Sequence, residues 1–280
     1  MIGEASAPGS SGNLGPGFDT LALAVSLRCT ATAEPSEMMT ITEHGSTSRL
    51  EPDDMIHRAA ELAVGRPMHI TLSNEIPRAR GLGSSGAVTS AVAAAAMRSV
   101  GDTGGRKKAF EITNELEGHA DNPAASVFGG LVAATSSGIK HMKLHDSLLL
   151  VVGIPDSRLK TADARKVLPT SVPLDVVART ITRLSFLLTG LTDGDVDALS
   201  QAGGDEIHEG PRAGLSPVSG ELMDAAREAG AAHACWSGAG PSVLAFTTSA
   251  TRGRVIGAMG GVLGMTGEVL ALRPDYEGLI

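Results

Sequence analysis

The sequence is poor in aromatic residues, with 1 Trp, 1 Tyr and 5 Phe among 280 residues. A core built around aromatic rings is therefore excluded, and the interior must consist of Ala, Val, Leu, Ile and Met. Cysteine is equally scarce, because only Cys29 and Cys235 are present and neither belongs to a CxxC pair. This spacing excludes a disulfide framework and a cysteine-based zinc site.

Positive charge and long apolar runs are also lacking. The chain has 23 Lys and Arg against 31 Asp and Glu, which gives a net charge of −8. Such a chain is poorly suited to holding a phosphate backbone over a wide surface, so we expect no nucleic-acid partner. No segment approaches the roughly 18 consecutive apolar residues of a membrane span, and the N-terminus lacks a basic, apolar signal sequence. We therefore expect no membrane partner and a cytoplasmic location.

Glycine, by contrast, is abundant, with 35 residues that cluster around positions 9–17, 81–86 and 237–240. Clustered glycine marks places where the backbone turns sharply or approaches a ligand closely.

Helices and strands are predicted along the whole chain without strict βαβ alternation. Apolar runs and alternation predict strands at 20–33, 68–74, 131–135 and 148–155, within HACWSGAG and SVLAFTT, and near 267–273. Helical spacing predicts helices at 54–65, 86–98, 106–117, 174–190, 194–202, 219–229 and 251–263. We therefore expect an α+β protein of two closely packed domains, residues 1–155 and 156–280.

The first motif with chemical content is GLGSSGAV at 81–88, which satisfies the dinucleotide-binding pattern GxGxxG. In that motif the first glycine follows its strand directly and an acid lies about 20 residues further on. Here EIPRAR separates Gly81 from the predicted strand, and the next acid, Asp102, lies beyond the following helix. A dinucleotide loop is therefore excluded, and the Walker A pattern is absent. The amides of the helix start could bind an anion, or a serine could simply cap a buried helix.

Two further glycine loops accompany it. SSGNLGPGFD at 10–19 flanks a Gly-Pro-Gly turn with Asn13 and Asp19, and CWSGAGPSVLAF at 235–246 reads as a hairpin. A turn explains the glycines and the proline of the first loop, but not the polar Asn13 and Asp19 beside them, which could face a small substrate. Three such loops could converge on one ligand.

The order of these motifs resembles the GHMP kinases: PGSSGNLGPGFD, then PRARGLGSSGA, then WSGAGPSV. Within this family the sequence is most similar to the homoserine kinases, which share motifs like EGHADNPAASVFGGL at 117–131, LKTADARKVLP at 159–169 and DEIHEGPR at 205–212. The resemblance covers nearly the whole chain. It implies an N-terminal domain with a left-handed βαβ unit, a C-terminal ferredoxin-like domain and an ATP site in the cleft between them.

The resemblance also implies which residues hold ATP and its metal. The triphosphate would be wrapped by the loop Gly81, Leu82, Gly83, Ser84, Ser85 and Gly86, with Arg80, and Arg78 on the same flank, as sources of positive charge. Mg²⁺ would be held by the Ser85 hydroxyl and the Glu117 carboxylate, because this cation favours a few oxygen ligands and water.

For the substrate, homoserine, the resemblance implies contacts from both halves. Arg165 and Arg212 would bind its carboxylate, for which the planar guanidinium is suited. Asn13 and Asp19 would accept from its ammonium and hydroxyl groups and form the catalytic pair, with Asp19 as the acceptor that orients the hydroxyl. His119 and Thr161 are further substrate contacts. Homodimers are common among relatives, and nothing in this sequence decides that property.

The sequence departs from its relatives in several places. No lysine precedes Lys107, so the Lys–Asp pair used by mevalonate kinase is missing, and GSSGN replaces the usual ATSAN. Asp54 in DMIHRAA stands where relatives have Asn, which affects the expected adenine contact. Two other functions fit the motifs: another GHMP kinase, acting on shikimate or a mevalonate-pathway alcohol, and a GHMP-fold binding protein without catalysis.

Overall fold

Two sheets organise the chain, one in each half. The computed structural model describes residues 1–280. The first half contains seven strands: β1 (Gly3–Gly12), β2 (Leu21–Pro35), β3 (Thr40–Glu43), β4 (Ser46–Arg49), β5 (Met68–Asn74), β6 (Leu131–Thr135) and β7 (Gly138–Met142). Its helices are α1 (Met55–Val64), α2 (Ser84–Ser99), α3 (Gly105–Glu117) and α4 (Asp121–Phe128). The strands form one sheet in the order β4-β3-β5-β2-β6-β7, and β1 pairs with β2.

The second half forms a four-stranded antiparallel sheet in the order β11-β8-β10-β9. Its strands are β8 (Leu149–Pro155), β9 (His233–Trp236), β10 (Val243–Thr247) and β11 (Gly267–Leu272). Its helices are α5 (Thr161–Lys166), α6 (Leu174–Asp193), α7 (Val196–Gln201), α8 (Glu209–Arg212), α9 (Pro217–Glu228) and α10 (Arg252–Leu263). Strand, helices, two strands, helix and strand follow one another in the ferredoxin-like order, so this prediction is confirmed.

The predicted division after residue 155 places strand β8 in the first half. Strand β8 pairs with β10 and β11, so its sheet is that of the second half. The chain also returns to the first sheet at its end, where Ile280 and Ser6 exchange backbone hydrogen bonds of 2.8 and 2.9 Å. The pairing of β8 therefore favours a division before Leu149.

The alanine-rich helix α2 lies at the centre of the first half and is buried on nearly every side. Small residues allow it to approach the sheet closely: a Cβ on Gly3 of β1 would lie 2.2 Å from the carbonyl oxygen of Ala95. The helix starts at Ser84, two residues before the predicted start. Its N-cap is Gly83, with φ 64° and no side-chain cap, so the interpretation of GLGSS as a serine cap is wrong.

Several elements have no counterpart in the sequence pattern, and β1 is the longest of them. Its sequence, GEASAPGSSG, contains residues of low strand propensity, yet it pairs with β2 along its whole length. Positions 9–12, predicted as part of a glycine turn, therefore belong to a strand. The pattern also predicts none of β3, β4, β7, α4, α5 and α8, because each is short and carries too few periodic apolar positions.

None of the helices combines the length and the apolar character that crossing a bilayer requires. Both cysteines are buried and unpaired, and burial raises the pKa of the Cys29 thiol to about 12.

Candidate active site

A cavity of about 400 Å³ lies between the two halves and is lined by residues of both. With the exception of Arg78, every candidate site residue of the sequence lines it: Asn13, Asp19, Arg80, Gly81, Leu82, Gly83, Ser84, Ser85, Gly86, Glu117, His119, Thr161, Arg165 and Arg212. Residues that sequence reasoning did not assign also line it, including Asp121, Asn122, Lys160 and Gly238. The three glycine clusters therefore converge on one space.

The glycine-serine loop is clamped by the other two glycine-rich segments. Ser237 Oγ donates a 2.7 Å hydrogen bond to the carbonyl oxygen of Gly81. The amide of Ser10 donates a 3.0 Å hydrogen bond to the carbonyl oxygen of Leu82. There is no room for side chains at these contacts, because a Cβ on Gly83 would lie 2.2 Å from Ser10 Oγ. The first amides of α2 follow directly, and free amides at a helix start attract anions.

The two arginines that flank this loop behave differently. Arg78 forms an ion pair with Glu43 at 2.7 Å, is half exposed, and does not line the cavity. Arg80 lines the cavity, and its Nη2 donates to the carbonyl oxygen of Asp156 at 3.0 Å.

An acidic cluster lies on the side formed by the end of α3 and the start of α4. The Glu117 side chain is 12% exposed, its Oε1 has no hydrogen-bond partner, and burial raises its pKa. His119 Nδ1 lies 2.7 Å from Asp121 Oδ1, and its Nε2 lies 3.6 Å from Glu117 Oε2. Burial alone would lower the pKa of His119, but the hydrogen bond with Asp121 and its charge outweigh burial and raise it.

On the opposite side, Arg165 donates two hydrogen bonds to Asp19, of 2.9 and 2.7 Å. Both oxygens of Asp19 are thus engaged with one guanidinium. Asn13 is engaged too: its Nδ2 donates to the carbonyl oxygen of Gly238 at 2.9 Å, and its Oδ1 accepts from the amide of Asp19 at 3.0 Å.

Arg212 is almost fully buried, at 2% exposure, and two of its three nitrogens, Nε and Nη1, have defined partners. Nε donates to the carbonyl oxygen of Ala164 at 3.2 Å, and Nη1 lies 3.1 Å from His208 Nδ1 and 3.2 Å from the carbonyl oxygen of Gly238. Burial, followed by the charge of Arg165, lowers the pKa of Arg212 to about 10, so the group remains cationic at neutral pH. Arg165 and Arg212 both lie over the ring of Phe18, at 5.8 and 5.6 Å from its centre.

Phe18 and His208 are two further residues of this region that the sequence did not identify, although both lie inside quoted motifs. Phe18 precedes Asp19, and His208 precedes Arg212 by one helical turn, a spacing that could have indicated contact. Asp54, the residue on which the expected adenine contact depends, accepts a 2.7 Å hydrogen bond from the amide of Ile56 and caps α1. Its side chain therefore serves as a helix cap, a role for which Asp and Asn are equally suited.

Comparison with known proteins gives consistent results. The family model described as "GHMP kinases N terminal domain" matches residues 54–130, and the one described as "GHMP kinases C terminal" matches residues 187–262. The chain is 36% identical to a homoserine kinase of Moorella thermoacetica over 85% of each chain. It is 35% identical to one of Thermus thermophilus over 95% of this chain and 94% of that protein.

Solved structures share the fold over the full length. A homoserine kinase of Cytophaga hutchinsonii superposes with a TM-score of 0.88 at 24% identity, covering 100% of this chain and 96% of that chain. A mevalonate kinase of Methanococcus jannaschii superposes with a TM-score of 0.68 at 14% identity, covering 98% of each chain.

Proposed function

Because the chain belongs to the GHMP kinase family, we propose that it transfers the γ-phosphoryl group of ATP to the side-chain hydroxyl of L-homoserine, giving O-phospho-L-homoserine, a step of threonine biosynthesis. Membership makes it an ATP-dependent kinase of a small molecule. The observation that carries the choice of substrate is the Asp19–Arg165 ion pair beside Arg212 in the cavity. This arrangement offers one acid and two guanidinium groups to a zwitterion.

At the donor end, the phosphates of ATP bind the amides of the glycine-serine loop and of the first turn of α2. Charged oxygens are favoured there by the unpaired amides and by the helix dipole. Mg²⁺ fits the neighbouring acid, because Glu117 Oε1 is a buried carboxylate oxygen without a partner and the Ser85 hydroxyl lines the same cavity. When bound, the ion neutralises charge on the phosphates.

At the acceptor end, homoserine exchanges partners with the Asp19–Arg165 pair. The homoserine carboxylate binds the guanidinium of Arg165, and the homoserine ammonium binds the carboxylate of Asp19. Both side chains of the opened ion pair therefore gain a new partner of opposite charge. Arg212 adds a second guanidinium, and its Nη2 is the one nitrogen of that group without a protein acceptor. A substrate without an ammonium leaves Asp19 unpaired in a half-buried place, which is unfavourable.

The transfer step is mainly a matter of alignment and charge neutralisation. The homoserine oxygen forms a bond to the γ-phosphorus while the bond from that phosphorus to the β–γ bridging oxygen breaks, and ADP leaves. The hydroxyl proton passes to an oxygen of the transferring phosphoryl group. No lysine near the N-terminus is available to assist, and Asp121 is held by His119, so a strong base is absent from this scheme.

Release of ADP from ATP and Mg²⁺ in the presence of homoserine, shikimate or mevalonate tests the proposal. We expect rapid release of ADP with homoserine but not with shikimate or mevalonate, since these two compounds lack an ammonium group. Preference for shikimate or mevalonate would identify a different kinase of the family, and no release with any of the three would indicate a binding protein.

Asp19→Asn is expected to lower kcat/KM for homoserine by roughly 30- to 100-fold, because the ammonium loses a charged acceptor worth about 2–3 kcal/mol. For 4-hydroxybutyrate, which lacks the ammonium, we expect little change. The measurement is kcat/KM for both compounds in both proteins. Asp163→Asn is the matched control, since Asp163 lies on nearby α5 and pairs on the surface with Lys166. Near-normal turnover of homoserine by Asp19→Asn would contradict the assignment.

A further inference from the structure

The substrate loop, residues 12–19, has an unusual backbone for which its own sequence gives no sufficient reason. Asn13, Leu14 and Asp19 all have positive φ, at 69°, 55° and 49°. Each such residue costs roughly 1–3 kcal/mol and persists only where the surroundings impose it. The conformation matters, because this loop carries Asn13 and Asp19 into the cavity.

Two buried histidines of the second half hold the carbonyl groups of this loop. His208 Nε2 lies 2.8 Å from the carbonyl oxygen of Gly15, and His233 Nε2 lies 3.1 Å from that of Leu14. Burial lowers the pKa of His233 to about 4, so its ring is neutral at physiological pH.

The hydrogen bonds of His208 define which of its nitrogens carries the hydrogen. Arg212 Nη1 can only donate, so His208 Nδ1 accepts that 3.1 Å bond. The ring hydrogen is therefore on Nε2, which donates to the carbonyl oxygen of Gly15. His208 is completely buried, and its ring stacks on that of Phe18 with centres 5.2 Å apart. One imidazole thus joins Arg212 to the substrate loop.

From this geometry we propose that His208 is a positioning residue for the amino-acid substrate: it fixes the Arg212 guanidinium and the Asp19 loop in one mutual arrangement. The inference rests on the proposed function, in which Arg212 and Asp19 bind opposite ends of the same molecule. His208 itself touches neither substrate. Its removal affects the distance between the two binding groups, and a misplacement of about 1 Å is costly in binding and rate.

Binding of ATP is expected to be independent of His208. The glycine-serine loop is held by Ser10, Ser237 and Ser242, through hydrogen bonds that do not involve His208. A positioning role therefore predicts a change in the KM for homoserine without a change in the KM for ATP. A merely structural role predicts that both constants, or only the stability, change.

Two substitutions test the two hydrogen bonds of His208, to Arg212 and to Gly15, separately. In His208→Asn, the amide oxygen lies where Nδ1 was and can accept from Arg212, but the side chain is too short to reach Gly15. In His208→Gln, the amide nitrogen can take the place of Nε2 and donate to Gly15. His57→Asn is the matched control, because His57 Nδ1 makes a similar contact, 3.2 Å from the carbonyl oxygen of Leu50, and does not line the cavity.

We expect His208→Asn to raise the KM for homoserine about tenfold or more, because the substrate loop loses its bond at Gly15 and Asp19 shifts relative to Arg212. The KM for ATP should stay within about twofold, and His208→Gln should recover most of the loss. His57→Asn should change neither constant. Equal changes in both KM values, an unchanged homoserine KM, or a Gln variant no better than Asn would overturn the proposal. Wild-type protein that does not phosphorylate homoserine would overturn the proposed function itself, and this inference with it.

Discussion

Glu117→Gln is expected to lower kcat about a thousandfold while the protein remains folded. A bound metal supplies several kcal/mol of charge stabilisation to phosphoryl transfer, and each 1.4 kcal/mol corresponds to about tenfold in rate. The substitution keeps the shape of the side chain and removes the charge that would hold Mg²⁺. The measurement is kcat for homoserine phosphorylation at saturating ATP over a range of Mg²⁺ concentrations.

Glu115→Gln is the matched control, because Glu115 lies on the same helix, α3, and is exposed. It should retain wild-type turnover. A second readout does not depend on catalysis: ATP with Mg²⁺ should raise the Tm of the wild-type protein more than that of Glu117→Gln. Unchanged kcat, or an equal rise in Tm in both proteins, would contradict the assignment of Glu117 as a metal ligand.

In the absence of metal, Glu117→Gln is expected to leave the stability of the folded protein unchanged or to raise it, in contrast to its harmful effect on kcat. Burial raises the pKa of Glu117 in the folded protein above its value in the unfolded chain. The contribution of this group to stability is therefore fully present below the unfolded pKa and is lost as pH rises through the folded pKa. At pH 7 Glu117→Gln removes this unfavourable charge, so its Tm without metal should equal or exceed that of the wild type. A lower Tm would contradict this reasoning.

Gly81→Ala is expected to destabilise the fold by about 2–5 kcal/mol and to abolish binding of ATP. Gly81 has φ 79°, which costs an L residue roughly 1–2 kcal/mol. The new Cβ would lie 2.0 Å from the carbonyl oxygen of Ser237, a backbone atom that cannot turn away, and such overpacking adds about 1–3 kcal/mol. The loop and the second-half hairpin would be forced apart where the phosphates bind. Urea unfolding and titration with ATP measure the two effects.

Gly101→Ala separates backbone strain from the clash. Gly101 has a similar φ of 76°, but a Cβ there would meet nothing within 4 Å. We expect a loss of about 1–2 kcal/mol and unchanged ATP affinity for this control. If Gly81→Ala were no more harmful than Gly101→Ala, the close approach of the two loops would have no energetic importance.

Much of the fold could be read from local patterns, and α2 shows why. Its run of alanines after a glycine-rich turn predicts a buried helix, since composition and spacing act within one segment. The ferredoxin-like half was predicted through resemblance and is confirmed by its strand order. Strand β1 was not predicted, because it is stabilised by pairing with β2 and its own sequence, GEASAPGSSG, carries no sign of that pairing.

By itself, the sequence determined which residue types are available and in which motifs they stand: three glycine loops, one acid at the end of α3, and one arginine in each of two motifs of the second half. Only the tertiary structure decided their partners. Arg165 pairs with Asp19 from 146 residues away, and His208 joins Gly15 from 193 residues away. Such contacts depend on the packing of two sheets, whose geometry is set by many weak interactions at once. No local pattern encodes them, because the interaction energy belongs to the pair and not to either segment.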